Sequence, residues 1–221
     1  MNLTDNLLGE TWYWAAWLVW LPLFAHSLWR APWKRLADSE QSNLWLGMIV
    51  ALVLVWNLKA SAQPGLSLHL LGANVFTLAF GPHLALIGLS IVLLCISLND
   101  GGAWFAYAAN ALVLIGVGVA LSHGLFRFLT ARLPRQYFIY IFVNAFLCGG
   151  LVILGVGLAS TLLLGLGDAF PLRYLIDEYL PYFLLLAFSE AWLSGGVLTL
   201  FVIYRPQWVG SFDDAHYLFH K

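Results

Sequence analysis

Apolar residues run along this chain in long blocks separated by short polar stretches, the pattern of buried or lipid-facing helices rather than of alternating strands. Residues 60–99 contain no Asp, Glu, Lys or Arg, and residues 136–167 are equally free of charge. About 20 apolar residues suffice to cross a hydrocarbon core of about 30 Å, so such runs hold more than one pass or a long tilted one. The pattern predicts spans near 12–29, 43–59, 69–81, 82–98, 103–125, 137–165 and 181–204. The connections between them, roughly 15 residues or fewer, are too short to build a soluble core. With 62% hydrophobic and 10% charged residues over 221 positions, composition agrees. The expectation is one all-α polytopic membrane domain, residues 1–221, with about seven transmembrane helices.

The third predicted span is short, and Gly81-Pro82 ends it and opens the next helix, because proline is tolerated at a first helical turn but not inside one. A tight hairpin follows. Cations set the direction. Arg30, Lys34 and Arg35 follow the first span, Arg127, Arg132 and Arg135 the fifth, and Arg205 and Lys221 the seventh. An amino terminus outside and a carboxyl terminus in the cytoplasm put all eight on one side, leaving Lys59 and Arg173 opposite. The leader MNLTDNLLGE lacks the basic start of a cleavable signal, so the amino terminus is expected to persist, with Met1 retained before the bulky Asn2. A net charge of -1 gives no sign of nucleic-acid binding, and no GxxxxGK[ST] loop is present for nucleotide hydrolysis.

The polar and small residues inside the apolar blocks carry what chemistry there is. Cys95 and Cys148 lack metal or redox spacing and read as packing residues. Gly116 with Ala120, and Gly155 with Ala159, have the spacing that lets helices approach closely. Trp12, Trp14, Trp17, Trp29 and Trp33 sit near helix ends as interface anchors. Glu190 is the one acidic residue within a predicted span, so it should pair, take up a proton or line a polar cavity. Asn74, Asn110 and Asn144 offer neutral interhelical bonds. His69 follows the outer segment SAQPGLSL, and two readings stand: an interfacial histidine bonded to a carbonyl, which the residue alone favours, or a neutral nitrogen donor to a metal. His83 lies beyond the Gly81-Pro82 break, roughly 20 Å away along the chain's helices, and cannot share an ion with His69. His26 and His123 fall on the opposite side from His69, as do His216 and His220, whose i, i+4 spacing beside Asp213 and Asp214 reads as a solvated tail.

Taken together, GLSLHLLGANVFTLAFGP, SLNDGGAWFAYAANALVLIGVG and SEAWLSGGVLTLFVIYRP resemble, in this order and over most of the chain, the substrate-capture component of energy-coupling-factor cobalt and nickel transporters, the CbiM/NikM family. The resemblance implies a seven-helix cup in a bacterial or archaeal cytoplasmic membrane, with the amino terminus tucked back into it. It also implies a divalent transition metal as cargo, no organic cofactor, and two kinds of partner: a transmembrane coupling protein and nucleotide-binding ATPase subunits. The metal donors it implies fall on Met1 through the terminal amine, on residue 2, and on His69. Here the chain departs from the pattern, because Asn2 stands where the family has a histidine, and an amide oxygen is a harder, weaker donor than an imidazole. Leu66 and Leu68 flank Ser67 where small residues are expected, which narrows the space near His69. Asp5 is a further candidate donor on the inward-folding segment, with Asn99 and Asp100 on the same side.

Three functions follow in order. The first is capture of cobalt or nickel, with zinc or copper as alternatives that Asn2 favours, followed by inward release driven by a partner ATPase. The second is a membrane binding or assembly scaffold that has lost transport. An intramembrane hydrolase is a distant third, since neither GxSxG nor HExxH occurs and Glu190 alone makes no acid-base pair.

Overall fold

The computed structural model describes residues 3–5, 7–58, 60–63, 66–101 and 104–213. Among them, helix α1 spans Glu10–Arg30, a short 3₁₀ turn covers Trp33–Ala37, and α2 spans Ser39–Asn57. Strands β1 (Ala60–Gln63) and β2 (Leu66–Leu68) pair antiparallel, Ala60 opposite Leu68 and Ser61 opposite Ser67. Helix α3 is Ala73–Phe80 and α4 is Pro82–Asn99. Three long helices complete the bundle: α5 (Trp104–Arg132), α6 (Tyr137–Leu166) and α7 (Leu172–Tyr204), followed by a 3₁₀ turn at Pro206–Trp208.

Seven helices therefore stand close to the seven predicted blocks, and five of them, α2 and α4 to α7, are long and apolar enough to cross a membrane. The differences have local causes. The block 69–81 is not one helix, because residues 69–72 run irregularly and α3 has only 8 residues, about 12 Å of rise. The block 181–204 begins nine residues early, at Leu172. Pro181 lacks the N–H that a continuous α-ladder needs, and the wide π turn Leu175–Tyr179 immediately before it carries the helix past that gap. Similar π stretches, Ala111–Val117 and Tyr140–Leu147, interrupt α5 and α6. The β1–β2 hairpin was not in the sequence expectation at all.

Helix α3 is the centre of the molecule, with all eight residues buried. Glycines bound it at both ends in left-handed backbone, Gly72 at φ 68° and Gly81 at φ 82°, a region that other residues enter only with strain. Gly72 has a second reason to lack a side chain, since a Cβ there would run into Leu52 of α2. The expected break is thus where the sequence placed it, with Pro82 at the first turn of α4.

The most extensive helix pair is α6 with α7. Gly149 and Gly150 permit it: a Cβ on Gly150 would lie 3.1 Å from the Ala187 carbonyl oxygen, and one on Gly149 3.2 Å from that of Glu190. Gly155, one of the predicted small residues, lies under Leu121 of α5, and Gly116 faces Leu23 of α1. Cys148 is buried as expected, but Cys95 is exposed on the outer surface of α4 and packs nothing inside. Trp14, Trp29 and Trp33 are exposed, in keeping with an interface role.

Candidate metal-capture site

The chain approaching α3 is held by Trp56 of α2 and Glu190 of α7. His69 is 4% exposed, and its ring lies against Trp56 of α2 with centroids 4.3 Å apart. Trp56 itself is fully buried, and a buried indole N–H needs an acceptor; its Nε1 donates to the Leu71 carbonyl at 3.2 Å. From the opposite side Glu190 of α7, also fully buried, accepts the backbone N–H groups of Leu71 at 2.8 Å and Gly72 at 2.7 Å. One carboxylate thus satisfies two donors at the amino-terminal end of α3, where the helix dipole also favours negative charge. Glu190 is thus paired with backbone, and it clamps the segment that carries His69.

Both readings of His69 meet in its geometry. Nδ1 lies 3.0 Å from the Leu70 carbonyl oxygen. A carbonyl only accepts, so this bond requires the proton on Nδ1 and leaves the lone pair of a neutral ring on Nε2, which is shielded from solvent. An imidazole whose Nδ1 is held by a carbonyl presents Nε2 as its acceptor nitrogen, the form in which histidine binds metals.

The amino-terminal segment turns into the bundle. Leu3 is 1% exposed; its N–H donates to Asn110 Oδ1 at 2.8 Å, and Asn110 Nδ2 returns a bond of 3.1 Å to the Leu3 carbonyl. Asn110, expected to make interhelical bonds, instead reads the backbone of this segment as a strand would, just where α5 enters its π stretch. The Tyr13 hydroxyl pins the following turn, donating to the Thr4 carbonyl at 2.8 Å and accepting the Leu8 N–H at 3.1 Å. Asp5 Oδ1 accepts the Ala106 N–H at 2.8 Å, a cap on the first turn of α5. Leu3, Trp56, Leu68 and Leu71 belong to one continuous buried cluster. Met1 and Asn2, the other expected donors, lie outside the described residues, as do His216 and His220.

Further along α3, Asn74 is fully buried and fully bonded: Nδ2 donates to the carbonyls of Asn144 and Ala145 at 3.1 Å each, and Oδ1 accepts from Ser122 at 2.8 Å. Both carbonyls belong to the π stretch of α6, where widened turns release backbone acceptors. At the far end of α3, His83 lies edge-on to His26 at 5.8 Å with its Nδ1 3.5 Å from Ser27, packing the hairpin against α1. Among the described residues, no three His, Cys, Asp or Glu side chains converge as a metal group.

Sequence reasoning missed Trp56, Tyr13 and the Gly149-Gly150 pair. Each left a signal: an indole and a phenol at helix ends beside the two segments they hold, and CGG in α6 to match the small faces of SEAWLSGG in α7.

Comparisons with known proteins bear on the family and the fold. Residues 2–208 match the family described as CbiM, cobalt uptake substrate-specific transmembrane region. Among solved structures, a truncated transition metal transporter shares the fold with a TM-score of 0.77 at 18% identity, covering 92% of this chain and 98% of that one. A second transition metal transporter gives a TM-score of 0.75 at 19% identity, over 90% and 92% of the two chains. No curated protein matches the sequence. Since the family match runs over nearly the whole chain, from the inward-turned amino terminus to the turn after α7, this protein belongs to the CbiM family and is a multi-pass membrane component of metal uptake.

Proposed function

We propose that this protein captures a divalent transition metal ion, cobalt or nickel by family habit, from outside the cytoplasmic membrane of a bacterium or archaeon and hands it inward. In this reading the seven helices all cross, the third completed by residues 69–72, with the amino terminus outside and the carboxyl terminus inside. The ion is cargo, held by the Met1 amine, Asn2 and His69 Nε2. Asp5 is occupied in capping α5 and stands second in line as a donor. Release is driven by a transmembrane coupling protein and nucleotide-binding ATPase subunits, since the chain carries no phosphate loop of its own.

The observation that carries the proposal is the pairing of two fixed parts. Asn110 holds Leu3 inside the bundle, and the Leu70 carbonyl holds the His69 ring in the tautomer whose Nε2 can bind a metal. This reading takes the remaining donors from the terminal amine and the backbone. A terminal amine, an amide nitrogen and an imidazole are nitrogen ligands suited to nickel and cobalt, while the Asn2 oxygen relaxes that preference toward zinc or copper.

The second reading, a scaffold that has lost transport, rests on Asn2 alone. The two are separated by calorimetric titration of nickel and cobalt into the purified protein and its Asn2→His variant. The capture reading expects saturable binding to the native chain, tightened by roughly tenfold or more when the imidazole is supplied. Absence of binding to the native chain, with or without rescue in the variant, favours the scaffold.

A further inference from the structure

The cation-rich end of the bundle contains a pocket that metal capture does not use. Its volume is about 240 Å³, and Arg35, Thr77, Gly81, Pro82, His123 and Ser211 stand in its wall. At about 30 Å³ per water, that is room for on the order of eight waters, enough for a phosphate and part of what it is attached to. No acidic residue lines it among the described residues.

Two side chains in its wall, Arg35 and Thr77, have donors to spare. Arg35 lies over the Phe80 ring, with Nε donating to Gln41 Oε1 at 3.1 Å and Nη2 to the Trp208 carbonyl at 3.2 Å. These bonds fix the guanidinium plane, while Nη1 has no acceptor among the described residues and no carboxylate pairs with Arg35 there. Thr77, on the face of α3 that forms the wall, is 3% exposed, and its hydroxyl has no hydrogen-bond partner. Most helical threonines bond the carbonyl one turn back; this one does not, and a buried donor left unmet costs about 1–3 kcal/mol. Gly81-Pro82, where α4 begins, completes the wall; the Gly81 N–H is already donated to the Thr77 carbonyl and Pro82 has none, so the donors on offer there are side chains. The floor is stable, because Gly210 and Ser211 donate their backbone N–H groups to the carbonyls of Ala79 and Leu78 and hold the chain after α7 against α3.

We propose that this pocket binds a phosphate group, supplied by the headgroup of an anionic phospholipid or by inorganic phosphate. A guanidinium N–H, a hydroxyl and an imidazole are donors by which proteins hold that group, and basic pockets between membrane helices at the headgroup level are suited to anionic lipids.

The test uses the full-length protein and two probes. Native mass spectrometry measures retention of phosphatidylglycerol against phosphatidylcholine, and calorimetry measures inorganic phosphate binding to the delipidated protein. The proposal expects phosphatidylglycerol to be preferred by about tenfold or more, or phosphate to bind saturably, with Thr77→Val and Arg35→Gln each removing the effect. A lipid preference names the headgroup as the source, and phosphate binding without it names the free anion. If Arg35→Gln fails to fold, Thr77→Val and His123→Gln carry the comparison. Neither probe binding, or binding that survives these substitutions as general attraction to Arg30 and Lys34 would, overturns the proposal.

Discussion

At the scale of single residues, the site depends on side chains that hold backbone. Glu190 accepts two N–H groups and Asn110 exchanges two bonds with Leu3. In Glu190→Gln one of the two N–H groups faces an amide NH₂ in place of an oxygen. The expected loss is about 1–3 kcal/mol, read as a lowered Tm in detergent, with metal affinity falling as the His69 segment loosens. An unchanged Tm would show that water replaces the lost acceptor. That these polar residues matter was legible in the sequence, since a carboxylate or amide at membrane depth needs a partner. Who the partner is was not. A backbone N–H has no signature in the sequence, so Glu190 offered a pair, a proton or a cavity equally until Leu71 and Gly72 were seen beneath it. For His69 the two readings competed because one ring can satisfy both: Nδ1 to a carbonyl, Nε2 to an ion.

At the scale of elements, apolar length located every helix, and proline and glycine marked the ends where their chemistry is unambiguous, as at Gly81-Pro82. The same rules failed where a helix absorbs a proline. Leu172–Tyr204 runs on through the π turn before Pro181, and no local propensity announces a widened turn. Nor does the uncharged block 60–99, which gave away its two helices through Gly81-Pro82, reveal that it also holds a β hairpin and an irregular segment, because buried strand, loop and short helix share one composition. The close packing of α6 and α7 rests on Gly149 and Gly150. Gly150→Val places methyl groups against the Ala187 carbonyl and Ala191, and is expected to cost about 1–3 kcal/mol through overpacking. Gly124 has nothing within 4 Å of a would-be Cβ, so Gly124→Ala serves as the control and should match or slightly exceed the native Tm. Equal Tm values for the two variants would remove the α6–α7 contact from the account of how Glu190 is positioned.

At the scale of the whole molecule, α3 links two ends. Its amino terminus is clamped beside His69 by Glu190, its second residue, Asn74, is bonded to α5 and α6, and its carboxyl terminus receives the chain that follows α7. A short, wholly buried helix with partners along its length gives the outer segment and the cation-rich end a common rigid part. The overall fold was legible because the bilayer leaves few solutions for an apolar chain, and the order of motifs from HLLG to SEAWLSGG carried the family. The metal donors proposed here were legible only through that resemblance, since no spacing pattern connects the first residues of the chain to His69. The central claim is that an ion binds at His69, and it is tested most directly by elemental mass spectrometry of the purified protein, with cobalt, nickel, zinc and copper supplied in turn and His69→Ala alongside. The account predicts one ion retained near stoichiometrically by the native chain and lost from a His69→Ala protein of unchanged helical content; an ion retained equally by both, or by neither, would contradict it.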